Sequence, residues 1–381
     1  EQVSLLLELG KTQGQRCQFQ RALTTLHATR RLMEHGQDFH NLTSVLNALA
    51  HVYLALGQPD AAYGHLREAL QAARIQDDME LQARCHLNIG IIKSAQHYLG
   101  SALSHLDSAL DRFTAIRDRV AIAEAKVWKA RTLAAMGDAG RSEMVLLQAL
   151  DVPREQLSAM EWGNILCLQA EIMAFQGGWR DAARLCKEAL QCFGRAGLVW
   201  RERLAWMRYL QALVRTGSEE AAGQAWNLLE ERKAEVEGSG SRWLDLEWHR
   251  THVLLLSTIQ DGGETVVMES LDALGAMRAA AREMRFPAEV LEASALESAI
   301  LMRRGESLGA RSRLQDAFVS FQELWSRVPE AAGLAFLGRP DIHQFREAVA
   351  AAGLTFTMPD RSDPLEDWTP TQVTLPVFRP L

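Results

Sequence analysis

The chain has 381 residues, 48% of them hydrophobic, enough to bury a continuous core. Its formal charge of -7 comes from 41 basic and 48 acidic residues mixed along the sequence, so no single-signed run supports nucleic-acid binding. No apolar stretch reaches the roughly 18 residues of a membrane span, and five cysteines (Cys17, Cys85, Cys167, Cys186, Cys192), an odd number in a long chain, do not make a disulfide framework. A reducing, cytoplasmic compartment is expected.

Residues 1–9 already carry a helical pattern and begin with Glu1, so the sequence reads as a fragment of a longer protein. From there a period of 40 residues sets the organisation. Small residues recur at Gly10, Ala50, Gly90, Ala130 and Ala170, and again at Ala22, Ala62, Ala102, Ser142, Ala182 and Ala222. A third small column runs Ala69, Ala109, Ala149, Ala189, with a large one at Leu26, Leu66, Leu106, Leu146. Turn glycines fall at Gly57, Gly137, Gly177 and Gly217, and His97 stands where one more belongs. Each period therefore reads as two helices. Small residues let them cross closely, leucines fill the space between, and a short turn makes them antiparallel.

Eight helix pairs are predicted over 3–35, 42–77, 80–117, 120–151, 157–195, 199–233, 242–284 and 288–326. The expected division is a regular array at 1–237, a degenerate continuation at 238–328, a capping-helix region at 329–356 and an extended Pro-rich tail at 357–381. Residues 238–241 (Gly-Ser-Gly-Ser) read as a linker, either a hinge or a longer surface loop, and residues 261–263 as a second break. Asp341 is placed to cap a short helix that Gly353 ends. Five of the ten prolines lie from Pro359 onward, which excludes a helix there, and Trp368, Val377 and Phe378 offer apolar anchors for docking back on the array.

The stretch ALAHVYLALGQPDAAYGHLREAL at 48–70 resembles the tetratricopeptide repeat (TPR) family, whose three small positions are matched by Ala50, Ala62 and Ala69, and again by Gly90, Ala102 and Ala109. The 40-residue period is similar to the longer-repeat subclass of adaptor proteins and bacterial signal-transduction regulators. The resemblance is specific through about residue 230 and returns at Gly305, Ala310, Leu314 and Ala317. It implies an all-α, right-handed α-solenoid whose first helices line a concave, partner-binding groove. The groove positions are Asn47, His51, Arg84, Asn88, Glu124, Trp128, Arg131, Asn164, Glu171 and Arg208, flanked by Ser44, Ile91, Cys167, Phe175, Met207 and Gln211. Amides there pair with a ligand backbone, arginines fork onto carboxylates and tryptophan supplies apolar area. Asn88 best matches the asparagine that binds ligand in related arrays, and Asn47 stands one residue out of register.

Catalytic chemistry is missing from the sequence. It has no phosphate-binding loop and no Gly-x-Ser-x-Gly nucleophile turn. His249 and His252 beside Glu247 lack the further ligands a zinc site needs. The expectation is therefore a non-enzymatic scaffold with no cofactor or metal. It binds a protein, a peptide or other domains of the same polypeptide, and neither nucleic acid nor membrane. The alternative is a ligand-sensing domain of a bacterial regulator that controls an attached effector. The clustered Trp200, Trp206, Trp226, Trp243 and Trp248 serve either as core or as an exposed aromatic patch.

Overall fold

The computed structural model describes residues 2–36, 39–259 and 263–354, and every regular element among them is helical. Eight antiparallel pairs stack into a right-handed, TPR-like solenoid. They are α1 (Gln2–Gln15) with α2 (Phe19–Gly36), α3 (Phe39–Ala55) with α4 (Pro59–Ile75), α5 (Met79–Ala95) with α6 (Leu99–Ile116), and α7 (Arg119–Ala135) with α8 (Ala139–Ala149). Next come α9 (Ala159–Phe175) with α10 (Trp179–Arg195), and α11 (Val199–Arg215) with α12 (Glu219–Glu231) and the short α13 (Lys233–Glu237). The last are α14 (Arg242–Leu256) with α15 (Gly263–Met284), α16 (Pro287–Arg303) with α17 (Ser307–Arg327), then α18 (Gly333–Leu337) and α19 (Pro340–Ala351). The expected Pro-rich tail lies outside the described residues, as does most of the break at 261–263.

The columns of the sequence are the crossings of the helices. A Cβ added to Gly10 would sit 2.6 Å from Leu26, and one on Gly90 would sit 2.7 Å from Leu106. Gly10 and Gly90 are thus seated on the leucine of the following helix, and Ala22, Ala62, Ala102 and Ser142 are fully buried alongside. Most first helices end in a left-handed residue. At Gly57 the next amide, Gln58 N–H, reaches back to Tyr53 O at 2.8 Å while Gly57 N–H bonds Leu54 O, which closes the last turn. His97 takes the same left-handed conformation without being glycine. Starts are fixed by side chains: Asp78, Asp118 and Asp138 each accept an amide of the first turn, and Ser158 forms a full capping box with Glu161.

The solenoid winds tightly enough to meet itself. The turn of the second pair touches the seventh, where buried Ser241 donates its hydroxyl to Ala55 O at 2.5 Å, and Asp60 pairs with Arg285 at 2.9 Å. In the third pair's turn Gln96 O accepts from Arg327 at the end of the eighth pair, and Arg327 also covers the Tyr98 ring. The fourth pair's turn meets the C-terminal cap, where Arg339 donates to Ala135 O at 2.7 Å. An offset of five pairs thus brings successive turns of the superhelix into contact. Trp200 and Trp243 pack edge to face and lie on the core of the first pairs, and Trp243 meets Phe286.

One expectation is refined here and one changes. Residues 238–241 are anchored at their serines, with Gly238 and Gly240 exposed as in a surface loop. Ser239 and Ser241 are buried, and Ser241 both caps α14 and bonds Ala55 across the seam. Asp341 lies inside the first turn of α19, after Pro340, where it grips Arg339 through two hydrogen bonds of 2.9 and 2.7 Å instead of capping the helix.

Candidate functional site: the inner channel

First helices α3, α5, α7, α9, α11, α14 and α16 line the inside of the superhelix. Their inward positions repeat every 36 to 42 residues, the separations of the hydrogen bonds that join neighbouring helices there. Two rows of polar side chains result. The first holds Arg84, Glu124, Asn164 and Arg201. Arg84 faces Glu124 at 3.6 Å and lies over Phe113, and Arg201 donates to Asn164 Oδ1 at 2.8 Å. The second runs from Arg131 through Glu171 and Arg208 to Gln211, Glu247, Arg250, Glu289 and Glu292. Glu171 is shared by Arg131, at 2.7 Å, and Arg208. Arg250 is held by Glu247 and Glu292, both at 2.9 Å, with Glu289 at 3.6 Å.

The rows run side by side on α7, α9 and α11, about two helical turns apart, and charges also reach between helices of distant pairs. Arg201 of the sixth pair and Lys11 of the first repel a proton from His51 of the second; with burial as the leading cause, they push its pKa down to about 4. The His51 side chain is nonetheless exposed. Arg131 on α7 is within electrostatic reach of Glu247 on α14, three pairs away. Burial raises the Glu124 pKa against the pull of Arg84 and Arg201, and pushes Glu289 up to about 7 against Arg250. Burial also lowers Arg208, to about 10, helped by Arg131. Arg250 is the exception: burial disfavours its charge, but Glu247, Glu292 and Glu289 together hold it above its ordinary value.

The ten positions singled out from sequence are distributed as follows. Arg84, Glu124, Asn164, Arg131, Glu171 and Arg208 belong to the two rows. Asn88 donates to Asn47 Oδ1 at 3.0 Å, and Asn47 in turn donates to Thr43 O and Cys85 Sγ. Trp128 is half-buried under Arg131, with its indole N–H shielded and unpartnered. Among the flanking positions Met207 is fully buried in the core and faces no groove, because its neighbours Trp206 and Leu210 turn that face of α11 inward to α12 and α14. Sequence reasoning missed Arg201, Arg250, Glu289 and Glu292. Between α7 and α9, Glu124, Trp128, Glu161 and Asn164 line a cavity of about 10 Å³, room for a single water.

The pairs His86–His105, 3.0 Å apart, and His252–Glu269, 3.3 Å apart, lie away from this channel. No group of three or more metal-ligating side chains occurs among the described residues, and no helix there is long and apolar enough to cross a membrane.

No family model matches the chain, and no curated protein matches it. Solved structures do. A Rap protein crystallised in complex with competence and sporulation factor is similar over 86% of this chain and 99% of its own, with a TM-score of 0.56 at 12% identity. The TPR domain of P58(IPK) aligns over 92% of this chain and 97% of its own at 16% identity, but with a TM-score of 0.24. The first likeness shares the fold; the second is too loose to add to it.

Proposed function

We propose that the chain is a non-catalytic scaffold that binds a peptide or an extended protein segment in its inner channel, as a regulatory region of a larger signalling protein. The observation that carries this reading is the channel itself. Two continuous rows of amides, arginines and glutamates face inward, while the hydrophobic residues of the same helices are spent on packing. An extended backbone needs such a lining, because its amides and carbonyls lose water on entry and must be paired. The Rap structure, of the same fold, was solved with a factor bound.

The electrostatic reach between α7 and α14, three pairs apart, favours a short ligand over a bulky protein and supports the sensor form of the proposal, in which a small peptide reports to an attached effector. Selection of a random peptide display library on the wild-type chain tests it. Enrichment of short sequences that bind wild type and lose at least tenfold in affinity on Asn88→Ala plus Arg131→Ala is the expected result, from two lost side-chain contacts of roughly 1 kcal/mol each. Unchanged affinity in the double variant would place the ligand elsewhere.

A further inference from the structure

The seam covers the turns of the early pairs and leaves the turn of the fifth pair bare. Positions 55–59, 95–99, 135–139 and 175–179 are the same turn, 40 residues apart. In the first three it is enclosed by the next turn of the superhelix. Leu56, Gln96 and Met136 are 8%, 3% and 2% exposed there, beside the contacts made by Ser241, Arg327 and Arg339. The turn of the fifth pair has no such cover among the described residues. Phe175 is 46% exposed, Gln176 and Gly177 are exposed, and a Cβ on Gly177 would meet nothing within 4 Å. The bare turn is nonetheless the one with large rings. Phe175 stands where the others have Ala55, Ala95 and Ala135, and Trp179 stands where they have Pro59, Leu99 and Ala139. Arg215 of the sixth pair lies over the Trp179 ring at 5.0 Å. Arg215 is within electrostatic reach of Glu292, but among the described residues no carboxylate holds it or the exposed Arg180 at ion-pair distance.

We propose that this edge is an intramolecular docking surface for residues 357–381, which extend the seam over the fifth pair with Trp368 set against Phe175 and Trp179. Continuity with the seam selects this occupant. The turns at 57, 97 and 137 are met, in order, by Ser241 and Arg285, by Arg327, and by Ala335 and Arg339. Each pair along one superhelical turn is thus covered by chain further along the next. The turn at 177 comes next in this order, and the chain that follows α19 is next to arrive. Its length suffices. α19 carries the chain roughly 18 Å from the seam edge, whereas the stretch from Leu354 to Trp368 reaches roughly 45 Å when extended. Its chemistry is complementary as well. Glu366 and Asp367 directly precede Trp368, so one short stretch brings a ring for Phe175 and Trp179 and carboxylates for Arg180 and Arg215. A second copy of the chain is a poorer match, because its own turns at 57, 97 and 137 are already covered. The docking does not depend on what the channel holds. It ties down α9 and α11, which carry Glu171 and Arg208.

The test places the photoreactive amino acid p-benzoylphenylalanine at position 175 of the full chain, an exposed site where the fold tolerates it. A control carries it at position 187, exposed on the outer helix α10. Isotopically light and heavy chains are mixed before illumination, and mass spectrometry of the digested protein locates each attachment. Position 175 is expected to mark residues 357–381, light to light and heavy to heavy, and the control to mark none of them. Trp368→Ala in the same chain is expected to lower that yield roughly tenfold, as loss of a tryptophan anchor does, with helicity and unfolding midpoint checked against the parent. Light-to-heavy products would show that a second copy covers the edge, and would overturn the docking. Products from position 175 that miss residues 357–381, equal marking by the control, or a yield that Trp368→Ala leaves unmoved would overturn it as well.

Discussion

The turns that end α3 and α7 and those that end α9 and α11 have the same left-handed glycine, yet they do different jobs. A Cβ on Gly177 or Gly217 would meet nothing within 4 Å. One on Gly57 would sit 2.7 Å from Met284 Sδ, and one on Gly137 would sit 2.2 Å from the backbone oxygen of Ala335. At Gly177 and Gly217 glycine serves the backbone only. At Gly57 and Gly137 it also admits the next superhelical turn. The same helical hairpin is thus a plain repeat in one part of the chain and half of an interface in another. That interface fixes the pitch, and with it the spacing of the walls that hold the channel residues.

Breaking the closest contact should have the largest effect. Gly137→Ala meets main chain that cannot swing aside and also strains a positive φ, so a loss of roughly 3 kcal/mol or more is expected in denaturant unfolding. Gly177→Ala should lose only about 1 kcal/mol. Equal losses would mean that the seam is open in solution. Ser241→Ala comes next. It removes the cap of α14 and leaves Ala55 O buried without its side-chain donor, for a loss of roughly 1–3 kcal/mol by the same measurement.

A pH effect of intermediate size sits at the seam. Burial, together with Arg339, pushes the pKa of His97 down to about 3 in the folded chain. A histidine depressed on folding stabilises the fold fully above its unfolded pKa near 6.5, and that contribution is lost as pH falls from there toward 3. Relative to wild type, His97→Gln should therefore flatten the fall in unfolding midpoint between neutral and acid pH. A parallel curve would show that His97 is not enclosed. The smallest effect on stability belongs to the channel: Asn88→Ala removes one half-buried amide bond to Asn47 and should cost about 1 kcal/mol or less. Its larger consequence is expected in peptide affinity.

The pairs were legible in the sequence because each helix crossing imposes the same requirement every 40 residues, a small residue over a leucine. The seam was not legible. It joins residues 186 to 231 positions apart through one-off contacts such as Ser241 with Ala55 and Arg327 with Gln96, and no period marks them. Gly57 and Gly177 look identical until the second turn of the superhelix is in place. The channel was legible where register held. Positions 84, 124 and 164 fall in one column, and the next member would be Leu204, which packs into the core. The row continues instead at Arg201, one helical turn earlier, because the superhelical pitch shifts the inward face along α11. A search three residues back along the same helix face would have found it. Arg250, Glu289 and Glu292 were missed for the related reason that the column pattern fades after about residue 230, although the inward face does not.

The central claim, that the channel is where a partner is held, is tested most directly by photo-crosslinking. A peptide recovered from the display selection would carry a photoreactive residue at each position in turn, with the attachment sites mapped by mass spectrometry. The account predicts crosslinks on the inward faces of α5, α7, α9 and α11, at or beside Asn88, Glu124, Trp128, Asn164 and Arg201. Crosslinks confined to the outer second helices or to the seam around Gly57 and Gly137 would contradict it.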